Sequence, residues 1–192
     1  MRSGGGALVG LGLVVRIAAA EPMPVGPPPT PSTSIGVGAT LAIERFVAAM
    51  YTAEAAHRLR GAYWLDGAAS IGGAAPIDPA GSGFDGSRAY EVRIGIARLG
   101  CGELWCSGAI ASAGYHFQWT HYEDALTDLM SWTEKRGLVF GELRGVARLQ
   151  LGRHAAFEVA LGLRVHDAVF TEYTDGGVNV GVVGALGVHA VL

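Results

Sequence analysis

The chain has 192 residues, a net charge of −3 and half of its residues apolar, with only 16% charged, against about 25% in an average soluble domain. That length gives one domain, and that charge gives no electrostatic footing for nucleic acid. No stretch approaches the roughly 20 uninterrupted apolar residues of a transmembrane helix, so a chain this apolar, with 30 glycines, is either a deeply buried domain or a membrane barrel, whose hydrophobicity lies hidden in alternation.

The first candidate element is GGGALVGLGLVVRIAAAEP, residues 4–22. Read as a signal peptide over residues 1–20, it has Arg2, an apolar core from Ala7 to Val15 and a cleavage site at Ala18, Ala19 and Ala20. Read as a strand over residues 5–17, it sets Ala7, Val9, Leu11, Leu13, Val15 and Ile17 on one face. Arg16 stands badly between an apolar core and a cleavage site but in phase with the glycines of the other face, which favours strand one followed by a Pro-rich loop, 18–33. Next, 34–44 alternates Ile35, Val37, Ala39, Leu41 and Ile43 with Gly36, Gly38, Thr40, Ala42 and Glu44. The period of two is that of a strand with two unlike faces. Residues 45–67 are read as one strand, 46–56, with RLRGAYWLDG (58–67) running into a long loop; a strand over 57–67 is the alternative.

Four more strands follow: 89–98, 106–119, 137–151 and 154–166, with a last one over 176–192. Between the first two stands LGCGELWCSG. A metal pair at Cys101 and Cys106 lacks the further ligands of a zinc site, whereas a disulfide there would clamp a hairpin turn in an oxidising compartment.

In GRHAAFEVALGLRVH (152–166) the apolar set is Ala155, Phe157, Val159, Leu161, Leu163 and Val165, and the opposite set carries Glu158 and Arg164. The other strands repeat this division. Arginines facing glutamates suit a closed interior where charges pair, and glycines leave them room near a narrow axis. The apolar face therefore points out, toward lipid. Glu91, Arg93, Glu142, Arg144, Arg148, Glu158 and Arg164 form the expected interior ion-pair network. Seven strands from residue 34 and one over 5–17 make eight. Short connections near Glu44–Arg45, Gly102–Trp105 and Gly152–Arg153 alternate with long ones, as periplasmic turns and extracellular loops do.

With these alternations the whole chain resembles the small outer-membrane β-barrels of the OmpA/OmpX type, and most of all their Gly/Ala-rich kind. The resemblance implies an all-β, eight-stranded antiparallel up-and-down transmembrane barrel embedded in the lipid bilayer of the bacterial outer membrane. It implies a side-chain-filled lumen, no catalytic set, no cofactor and no metal. Its role would be structural, or interaction with an extracellular or periplasmic protein partner through the loops. The ending HAVL departs from the family's aromatic C-terminus. Two other readings compete. In a lipid-processing barrel enzyme, Ser112 and His116 would have to act together, although a strand separates them by about 13 Å. In a soluble secreted barrel the apolar faces would enclose an apolar ligand. A metal site among His116, Gln118, His121, Glu123 and Asp124 is outweighed by a solvated loop that explains the same residues.

Overall fold

The computed structural model describes residues 33–44, 46–76, 84–123, 131–152, 154–171 and 178–192. Eight strands follow in order: β1 (Thr33–Ile43), β2 (Phe46–Arg60), β3 (Tyr63–Pro76), β4 (Phe84–Cys101), β5 (Trp105–Glu123), β6 (Ser131–Gln150), β7 (Ala155–Thr171) and β8 (Asn179–Val191). Each pairs antiparallel with its sequence neighbour, and β1 closes on β8. Closure removes every unpaired strand edge.

The register fixes the barrel's shape. From His189 on β8 it passes through Gly36, Glu54, Ala68, Arg93, Gly114, Phe140 and His166, and returns to β8 at Asn179, ten residues from its start. At a rise of about 3.3 Å per residue and a strand spacing of about 4.8 Å, this stagger tilts the strands by about 40° and gives a radius of about 8 Å. Long side chains from opposite walls meet across such a lumen.

The outer surface is apolar. Val37 is 68% exposed, Leu161 65% and Ile94 61%, while Glu91, Arg144 and Glu158 on the other face are buried. On β4 the outward row is uncharged between Arg88 and Arg98. Ten residues at about 3.3 Å and a tilt of about 40° span about 25 Å, the height of the apolar band of outer-membrane barrels. Trp105 and Tyr63 are exposed at the short-turn end. Toward the other end Tyr90 and Phe117 pack edge-on against Trp119, with ring centroids 5.3 and 4.7 Å away. Aromatics at both borders suit a membrane interface.

The count of seven strands from residue 34 is corrected to eight. The stretches weighed as alternatives, 46–56 and 57–67, belong to two strands, β2 and β3, joined through Gly61 and Ala62. Gly61 has φ +58°, a conformation natural to glycine, and Arg58 Nε donates to its carbonyl at 2.7 Å. YWLDGAASIGG reads as a loop because its alternation rests on alanine, serine and glycine, yet it pairs on both sides along β2 and β4. The extra strand also reverses the sorting of connections. Residues 61–62 and 102–104 and the strand ends Gln150 and Ala155 lie at one end, with Thr33 and Leu192. β1 and β2, two residues apart in the chain, meet at the opposite end at Ile43 and Phe46, where Pro76, Phe84, Glu123, Ser131, Thr171 and Asn179 also lie, so short length alone does not mark the periplasmic side. Lys135 is a β6 residue facing outward, and Trp64 points into the lumen. The proposed strand 5–17, the 1–20 signal peptide and nearly all of the 18–33 loop lie outside the described residues, and the barrel closes between β1 and β8.

Cys101 and Cys106 are joined in a disulfide across the β4–β5 turn. Its loop is short and the hairpin register runs to the paired cysteines themselves. Replacing both cysteines by serine is therefore expected to cost no more than about 2 kcal/mol and to leave the barrel closed. Urea unfolding of the two forms in detergent measures the difference, and loss of the folded state would mean that the bond does more than tie one turn.

Candidate functional site

Inward positions of the strands deliver the polar side chains, because each strand sends every second residue to the lumen. Two apolar clusters line its ends. Ala56, Trp64, Ala97, Leu99, Ile110, Val146 and Ala160 pack toward the short-turn end, and Ala42, Ala48, Met50, Ala74, Ala89 and Val183 toward the other.

The charged residues meet between and beside these clusters. Arg164 on β7 is the hub. It donates from Nη1 to Glu91 Oε2 at 2.6 Å, from Nη2 to Glu91 Oε1 at 3.0 Å, and from Nη2 and Nε to Glu142 Oε2 at 2.6 and 3.0 Å. Its guanidinium lies 4.0 Å from the Phe140 ring centroid, a cation–π contact. Arg144 approaches the other Glu142 oxygen at 2.7 Å, and Ser112 donates to that oxygen at 3.4 Å. Arg93 bridges Glu54 at 2.6 Å and Asp66 at 3.2 Å. Arg148 donates twice to Glu158, at 2.6 and 3.0 Å. Thr40, Thr52 and Ser70 form a hydroxyl chain with 2.9 Å links.

Every residue expected in the network faces the lumen and contacts an oppositely charged partner. They do not form one circuit of those seven alone. Glu91 and Arg93 share β4 but serve different partners, and Glu54, Asp66, Glu44, His116, His166 and His189 join in. Parity places Glu54, Glu44 and His189 on the inner face in the sequence. Asp66 is hidden because the sequence of its strand reads as a loop.

Against known proteins, the likeness is structural. No family model matches the sequence, and no curated protein matches it. Among solved structures, a major outer membrane protein from Thermus thermophilus superposes with a TM-score of 0.55 at 11% identity, covering 83% of this chain and 99% of that one. Neisserial surface protein A superposes with a TM-score of 0.51 at 8% identity, covering 83% and 96%.

The fold is that of the small outer-membrane barrels.

Within this barrel the residues of the competing enzyme and metal readings have separate partners or face opposite sides. Ser112 contacts Glu142, while His116 Nδ1 lies 3.3 Å from Glu91 Oε2. His116 and Gln118 face the lumen, and His121 faces the other side of β5 against Thr133. Asp124 lies outside the described residues.

Proposed function

We propose that this protein is a closed barrel of the bacterial outer membrane that serves as a rigid, lipid-embedded platform, with a structural role or a role in binding a protein partner through the connections at its long-strand end. The observation that carries this reading is the lumen itself. Arg164, Glu91, Glu142 and Arg144 span it with every one of them buried, and an eight-stranded barrel has room for side chains but not for an aqueous channel as well. Strand lengths support the interaction role. β4 to β7 have 18, 19, 20 and 17 residues, against 11, 15, 14 and 13 in β1, β2, β3 and β8. The surplus stands as a one-sided wall above the apolar belt, carrying Arg88, Lys135 and Asp167 at its outer foot. The same packing supports a non-enzymatic reading, since Ser112 and His116 are each engaged with a separate glutamate rather than with one another.

The test is direct. The protein is expected in the outer-membrane fraction, migrating faster on a gel unheated than heated. In planar bilayers the purified barrel is expected to give no stable porin-like conductance. A soluble species without a heat shift would overturn the membrane reading, and a steady open pore would overturn the closed platform.

A further inference from the structure

The lumenal charges do not balance. Among the described residues, the ion-paired lumenal carboxylates Glu44, Glu54, Asp66, Glu91, Glu134, Glu142 and Glu158 are served by five guanidiniums, those of Arg93, Arg136, Arg144, Arg148 and Arg164. Three histidines stand beside the excess: His116 at Glu91, His166 at Glu44, and His189 at Glu158. Two of these places are dyads. At the third, Glu54, Glu158 and His189 each offer a ligand atom, all within 4.8 Å of one another.

That cluster lines a cavity of about 10 Å³, together with Gly36, Gly38, Gly187, Thr40 and Thr52. Such a volume accepts a single water or ion. The glycines create it: a Cβ at Gly36 would stand 2.5 Å from His189 Nδ1. Two polar atoms of these lining residues have no hydrogen-bond partner, His189 Nδ1 and Glu54 Oε1. His189 is 3% exposed. Arg93 occupies the other Glu54 oxygen, and Arg148 holds Glu158 at Oε2. Buried orphan atoms of this kind ordinarily have a water or an ion as partner.

From this juxtaposition we propose that Glu54, Glu158 and His189 form a binding site for one divalent transition-metal cation inside the barrel, near its short-turn mouth. Imidazole nitrogen with carboxylate oxygens is a donor set for zinc-like ions, at about 2.0–2.2 Å. Closing on the ion requires the ligand atoms to draw together by about an ångström from their present spread, which rotation of the two glutamates supplies; water would complete the coordination. His189 lies two residues from the end of β8 and Glu158 three from the start of β7, which sets the site toward that mouth. It would supply the positive charge that the neighbouring Glu54, Asp66 and Glu158 lack against Arg93 and Arg148.

The test uses the whole folded chain in detergent, stripped with a chelator and titrated calorimetrically with Zn²⁺, with Co²⁺ absorption as a spectroscopic readout. One ion per chain is expected, with binding at least tenfold weaker in His189→Gln and in Glu54→Gln, and with Mg²⁺ failing to compete. Should either variant lose its heat shift, Gly36→Ala replaces it, because the added methyl displaces the imidazole without removing a ligand, and the same loss is expected. Absence of stoichiometric binding to the unaltered protein would overturn the proposal and leave a water in the cavity. Binding that survives these substitutions would equally overturn it by placing the ion elsewhere. Neither result touches the closed-platform reading, which rests on Arg164 and the gel shift.

Discussion

Arg164→Ala is expected to destabilise the barrel by at least about 3–5 kcal/mol, the cost of breaking a buried ion pair by removing one partner. The lower bound applies because two carboxylates lose a partner together. Glu91 receives both of its closest guanidinium contacts from Arg164, and Glu142 receives two more. His116 remains beside Glu91 and Arg144 beside Glu142, but neither can replace a bidentate guanidinium held across the axis. Phe140 loses its cation as well. The contrast that isolates the cause is the double substitution Arg164→Met, Glu91→Gln, which leaves Glu142 to Arg144. It removes the stranded charge along with the pair, and replacing a buried ion pair by neutral groups of similar volume is often close to neutral. Urea titrations in detergent, read by the gel shift, should therefore place the double variant nearer the unaltered protein than the single one. If Arg164→Ala leaves the midpoint unchanged, water solvates these carboxylates and the lumen is not closed.

Much of this architecture is legible in the sequence for a physical reason. Where a strand has lipid on one side and ion pairs on the other, every residue must declare its face. Leu163 and Arg164 are adjacent, yet one is 58% exposed and the other 3%. The signal fails where side chains are too small to declare anything. In β3, Gly67, Ala68, Ala69, Gly72, Gly73 and Ala74 carry almost no contrast, and the hairpin at Gly61 is hidden between two arginines and an aromatic pair. Missing that one strand shifted the parity of every connection before it. Partner choice in the lumen is hidden for a different reason. Inward parity names Glu91 and Arg164, but they are 73 residues apart and on strands that do not pair. Only the stagger of the closed barrel brings them together, and the same holds for Glu54 on β2 against Glu158 and His189 on the paired strands β7 and β8.

The outward face makes the second large prediction. Leu163→Arg is expected to cost about 2–4 kcal/mol in a bilayer, the penalty of an arginine at the midplane of a barrel's lipid face. The position is set by the belt's own borders. Leu163 lies four residues from Asp167, which faces outward at the edge of the uncharged row on β7. At about 3.3 Å per residue and about 40° of tilt this is about 10 Å, roughly half of the belt of about 25 Å. Its cross-strand neighbours Leu143 and Val182 offer no counter-charge. Ala155→Arg on the same strand and face is the control. It lies beside the short turn, where the penalty falls to about 0–1 kcal/mol. Reversible urea unfolding in phospholipid vesicles, followed by tryptophan fluorescence, gives both values, and their difference is the decisive quantity. Added charge alone acts equally at the two positions, whereas a hydrocarbon slab punishes only the deeper one. Equal effects at Leu163 and Ala155 would mean that this face meets water along its whole length, and that the exposed stripe of Val159, Leu161, Leu163 and Val165 is covered by something other than lipid.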